Sequence, residues 1–146
     1  MTKTPLRSAR LQLARIWFPA AGILFLILVV QSLTLVHGDE VQQVFSWALP
    51  NFLPTISLMM SVFAQDALVR DEQEIDKVFV RSSFLKISKW ISLFYVALLF
   101  ISVFAASVTG DRPLDTLEVS SIFLGPIQGL VVGALGVLFF VREEQK

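Results

Sequence analysis

The side chains able to do covalent or metal chemistry are few. His37 is the single histidine, and it stands beside Asp39 and Glu40. Hydrolysis of the Ser–His type would have to pair it with a distant serine such as Ser120 or Ser121. Nothing around those serines marks a nucleophile or an oxyanion hole. His37, Asp39 and Glu40 alone are too sparse for a metal site. There is no cysteine, which removes thiolate ligands, thiol nucleophiles and disulfides together. One histidine cannot supply the paired axial ligands of a membrane haem. No phosphate-cradling glycine loop and no nucleic-acid motif is present. The expectation is a protein that is not an enzyme and uses no cofactor, no metal and no nucleic acid.

Two other patterns carry more information. Gln43, Ser46, Pro50, Pro54, Ser57 and Ser61 fall on one broad helical face, with Gln65 on it and Asn51 and Thr55 beside it. Proline has no N–H, so Pro50 frees the Ser46 carbonyl and Pro54 frees the Pro50 carbonyl. Such a face needs a helix neighbour or a water-filled path, because lipid offers no hydrogen bonds. Gly125, Gly129 and Gly133 recur every four residues, with Gly136 close behind. Small residues at this spacing let helix backbones approach closely in a membrane, within one chain or between chains. Pro126 disturbs the same segment and frees the Ile122 carbonyl.

The segments that hold these patterns contain no charge. Residues 16–38, 41–65, 90–110 and 119–141 lack Lys, Arg, Asp and Glu altogether, in a chain of 146 residues that is 55% hydrophobic. A helix crosses a bilayer core about 30 Å thick in roughly 20 residues, so each window is long enough. The expected fold is all-α and integral to the membrane, with spans at about 16–36, 43–65, 88–109 and 119–141. Around the spans lie a basic N-terminus (1–15), a cytoplasmic loop (66–87) and a tail (142–146). Short turns at Gly38-Asp39 and Gly110-Asp111 make two antiparallel hairpins, glycine being the usual residue just past a helix end.

Basic residues sort by side. Lys3, Arg7, Arg10 and Arg15 precede the first window, and Arg70, Lys77, Arg81, Lys86 and Lys89 lie between the second and third. Arg142 and Lys146 follow the fourth, which leaves Arg112 alone on the other side. Positive charge is retained inside, so both termini are expected in the cytoplasm, in a cell (inner) membrane. Trp17 and Trp90 stand at the expected cytoplasmic entries of two spans, and Phe139 and Phe140 at an exit, where aromatic rings favour the interface. The first apolar run exceeds a signal-peptide core and has no small-x-small site near Val36, so it reads as a retained anchor.

Between the second and third spans, Asp71, Glu72, Glu74 and Asp76 precede Lys77, Arg81, Lys86 and Lys89. This segment reads as an extension of the neighbouring helices, with its basic half against anionic headgroups. A docking site for a soluble cytoplasmic partner at 66–89 is the alternative. Residues 40–45 and 118–123 echo each other, which convergence on helix-start chemistry explains.

No charge lies within the windows, whereas ion-coupled transport ordinarily needs an ionisable residue there. The remaining expectation is association in the membrane, with the bilayer and either a second copy or another membrane subunit as partner. The sharper form is an oligomeric pore or membrane-acting effector lined by the polar face of the second span. The rivals are an accessory or anchor subunit and, less favoured, a small substrate carrier.

Overall fold

The computed structural model describes residues 3–34, 41–68, 79–108 and 113–140. They form four long helices, α1 (Leu6–Leu33), α2 (Val41–Leu68), α3 (Ser82–Val108) and α4 (Pro113–Phe140). All four are long and apolar enough to cross a membrane. Two short strands, β1 (Lys3–Pro5) and β2 (Phe79–Arg81), pair antiparallel with Lys3 opposite Arg81 and Pro5 opposite Phe79. The α1 helix packs on α2 and α3, and α4 packs on the same two, which closes a four-membered ring.

Helix α1 starts ten residues before the first charge-free window, inside the segment expected as a basic tail. Leu6, Ala9, Arg10, Leu13, Ala14 and Trp17 are all buried. Their three-and-four spacing is the face of an amphipathic helix. Arg7 and Arg15 fall on the opposite, exposed side. Pro5 enters the helix with φ −56° and ψ 140°, an extended conformation that marks its start. Pro19 lies inside α1, with its ring on the exposed face.

The loop expected to extend the neighbouring helices is divided. The α2 helix runs to Leu68, β2 occupies 79–81, and α3 begins at Ser82. The ribbon is fastened by a 3.2 Å hydrogen bond between the Thr4 and Ser82 hydroxyls.

The core is aliphatic and aromatic. Phe63 sits against both Phe18 and Phe139, at 6.4 and 6.0 Å between ring centroids, and Trp17 lies 5.9 Å from Tyr95. Trp17 is 1% exposed and Trp90 is 72% exposed. Of the two tryptophans expected at an interface, Trp17 is a core residue, because it belongs to the buried face that begins at Leu6. Phe139, expected at an interfacial exit, is buried as well.

Candidate functional site

Two groups of side chains stand out from this apolar frame. The first surrounds the prolines of α2. The Pro50 carbonyl, deprived of its helical donor by Pro54, accepts a 2.8 Å hydrogen bond from Gln128 Nε2 of α4. The Tyr95 hydroxyl of α3 donates to the Asn51 carbonyl at 3.0 Å, with Asn51 Oδ1 at 3.3 Å. Asn51 Nδ2 in turn donates to the Trp47 carbonyl at 2.6 Å, one turn back. Trp47 Nε1 donates to the Ser121 hydroxyl of α4 at 3.0 Å. The proline-bearing stretch of α2, which remains one continuous helix, is thus held by side chains of two other helices. Backbone groups freed in a bilayer must find such partners.

Only part of the polar face of α2 takes part in this. Thr55 is buried and Asn51 half-buried, both turned toward the bundle. Gln43, Ser46, Pro50, Pro54, Ser57 and Ser61 are exposed. The Ser46 hydroxyl bonds to the Gln42 carbonyl and that of Ser61 to the Leu58 carbonyl, so both are satisfied by their own helix. The glycines of α4 behave in the same way. A Cβ added at Gly125, Gly129, Gly133 or Gly136 would meet nothing within 4 Å. Among the described residues, no other helix therefore packs closely on the glycine stripe.

The two outward faces adjoin. Trp47, Pro50 and Asn51 mark the flank of α2 that meets α4, and Ser121 and Gln128 mark the flank of α4 that meets α2. At 100° per residue, the exposed α2 stripe borders the first flank and the glycines border the second. Together they form one outward surface along the α2–α4 seam, with hydroxyls and prolines on one side and bare backbone on the other.

The second group lies at the end of the bundle that carries the ribbon. Arg10 is 5% exposed. Its Nη1 holds both carboxylate oxygens of Asp66, at 3.1 and 3.0 Å. Nε donates to the Leu138 carbonyl at 3.2 Å, and Nη2 to the Phe139 carbonyl at 3.0 Å. The guanidinium carbon lies 5.8 Å from the centre of the Phe139 ring, within reach of a cation–π attraction. One side chain of α1 thereby joins the end of α2 to the last turn of α4. The carbonyls it binds are those a helix leaves without internal donors, and the negative end of the helix dipole favours a cation there.

The other basic residues are placed differently. Lys3, Arg7, Arg15, Arg81 and Lys86 are exposed around the same end, and Lys89 Nζ donates to Gln12 Oε1 of α1 at 3.2 Å. Lys77, His37, Asp39, Glu40, the two glycine turns, the acidic run at 71–76 and the tail at 142–146 lie outside the described residues. Reading by charge and hydropathy missed Gln128, Tyr95 and the Arg10–Asp66 pair as structural partners. An amide in the otherwise apolar stretch 122–140 of α4, near the depth of two prolines, was the available signal for Gln128. The register Leu6-Ala9-Arg10-Leu13 was the one for Arg10. No protein-family model, curated protein or solved structure matches the chain.

Proposed function

We propose that this chain is a non-enzymatic, multi-pass membrane protein that acts by assembling with further copies through the outer face of α2 and α4. In this reading the helices form two antiparallel hairpins with both termini in the cytoplasm. The ribbon end, with Arg7, Arg15, Arg81, Lys86 and the exposed Trp90, meets cytoplasmic headgroups.

One observation carries the proposal. The hydroxyl and proline stripe of α2 and the glycine stripe of α4 both point away from their own bundle, along one seam. Lipid tails are a poor neighbour for that surface, and a second helix pair is a good one. Bare glycine backbone permits close approach, and hydroxyls can hydrogen-bond across the contact. In a ring of subunits the α2 stripe would lie toward the axis, which makes an oligomeric pore the specific form of the proposal. An accessory subunit anchored in a larger complex would present the same face to a different membrane partner.

The test is the mass of the purified protein in detergent and in nanodiscs, with conductance recorded in planar bilayers. Assembly predicts an oligomer that Gly129→Leu dissociates. The pore form predicts conductance altered by Ser57→Val or Ser61→Val. A monomer in both environments overturns assembly with its own kind, and a stable oligomer that never conducts overturns the pore.

A further inference from the structure

The side of the ring away from the α2–α4 seam is the seam between α1 and α3. Near the ribbon this seam is polar. Lys89 Nζ donates to Gln12 Oε1 at 3.2 Å, and Gln12 Nε2 donates in turn to the Ser8 hydroxyl at 3.4 Å. All three side chains are half-buried. Arg15 stands one turn beyond Gln12 on α1, and Lys86 one turn before Lys89 on α3, both exposed. The Lys89 ammonium thus rests on an uncharged amide. Among the described residues, the only carboxylate at this end of the bundle is that of Asp66, and Arg10 holds it. A partly buried cation without a counter-charge is costly.

The depth of this cluster follows from its surroundings. Arg15 and Lys89 are the last charges before the charge-free runs 16–38 and 90–110. Trp90, which comes directly after Lys89, is 72% exposed, and an exposed indole favours the membrane–water interface. Farther along the spans the seam turns apolar. Pro19 and Ile23 continue its α1 side, and Leu93 and Ala97 its α3 side, all exposed. At 100° per residue, they share the outer face of the seam with Gln12 and Lys86.

The geometry points to a binding site for one anionic glycerophospholipid on the outer face of the α1–α3 seam. The site rests on the proposed membrane-spanning arrangement, with the ribbon end at one surface. The phosphate sits at Lys89, flanked by Lys86 and Arg15. An ammonium has three donors, so Lys89 keeps two for the phosphate after bonding Gln12. The Ser8 hydroxyl accepts from Gln12 and has its own proton to give. The acyl chains lie along Pro19 and Ile23 on one side and Leu93 and Ala97 on the other. Charge selects the headgroup: phosphatidylcholine brings a cation of its own among these cations, whereas phosphatidylglycerol brings none.

The experiment uses the full-length protein, delipidated in neutral detergent and titrated with equimolar phosphatidylglycerol and phosphatidylcholine. Native mass spectrometry counts the lipids retained per chain. The expected result is one phosphatidylglycerol per chain, preferred over phosphatidylcholine by about fivefold or more, the worth of one near-surface charge. Lys89→Gln and Lys86→Gln should each lower its retention by about threefold or more, and Lys89→Arg should keep it. Lys3→Gln makes the same change of charge on the ribbon and should alter retention by less than about twofold. Equal losses for Lys3→Gln and Lys89→Gln show general surface attraction and overturn the site. So does the lack of a preference between the two lipids, or displacement of the lipid by inorganic phosphate. Gly129→Leu, on the opposite seam, should leave retention intact while it dissociates the oligomer, so the assembly reading and the lipid site fail separately.

Discussion

Replacing Arg10 by methionine tests whether the ribbon end of the bundle is held by this one side chain. The substitution keeps an unbranched apolar stem and removes the guanidinium. It takes away both contacts to Asp66, the bonds to the Leu138 and Phe139 carbonyls, and the attraction to the Phe139 ring. Breaking a fully buried ion pair by removing one partner costs about 3–5 kcal/mol, whereas an exposed pair is worth about 0.2–1 kcal/mol. The pair lies between these limits: the Arg10 side chain is 6% exposed and that of Asp66 is 26% exposed, so Asp66 recovers part of its hydration. The two carbonyls lose charge-assisted bonds, each worth about 1.5–3 kcal/mol when the surroundings are dry. A net loss of about 2–4 kcal/mol follows, since the orphaned carboxylate and the carbonyls relax toward the end of the bundle. Equilibrium unfolding in mixed micelles, followed by helical circular dichroism, measures it. Adding Asp66→Leu to Arg10→Met removes the stranded charge and should return part of the loss, giving a coupling of about 1–3 kcal/mol. A loss below about 0.5 kcal/mol for Arg10→Met, the range of an ordinary surface change, would refute the clamp.

Asp66→Asn should cost less than Arg10→Met, because Arg10 keeps both carbonyl bonds; the same unfolding series ranks them. Gln128→Leu strips the Pro50 carbonyl of its donor and should lower stability by about 1–2 kcal/mol, with slower migration or faster proteolysis near residue 50 as a local readout. Tyr95→Phe removes one hydroxyl bond to Asn51 and should cost about 1 kcal/mol with the packing on Trp17 kept. Gly129→Ala should leave the single chain as stable as before or up to about 1 kcal/mol more so, since its Cβ meets nothing within 4 Å and alanine favours helix. If that variant instead melts earlier while still monomeric, the glycine stripe packs within the chain.

The long helices were legible because charge is excluded from a bilayer core, so their middles are written in what is missing. Their ends were not. Arg10 looks like one of four topogenic cations until the spacing of Leu6, Ala9 and Leu13 is given equal weight, and then it falls on the buried face. Counting charges also hid Asp66, which reads as the first residue of a loop and sits in the last turns of α2. For the polar face of α2, periodicity grouped the residues correctly. It could not say that Asn51 and Thr55 turn inward while Ser46, Ser57 and Ser61 turn outward, because that depends on where α4 lies. The glycine stripe shows the same gap. Spacing marks a surface suited to close contact, and among the described residues no other helix packs closely on it.

Arg10 and the carbonyls it binds are 128 and 129 residues apart. At a synthesis rate of about 5–20 residues per second, roughly 6–26 s separate their emergence. During that interval α1 can already have entered the bilayer while its guanidinium has no α4 to hold. In the topology proposed above, the arginine would wait in the headgroup layer and keep the start of α1 at the cytoplasmic surface. In that topology its withdrawal into the bundle would be a late event that reports the arrival of the fourth helix. A chaperone or protease that recognises this unburied arginine would see a chain whose last helix has not yet docked.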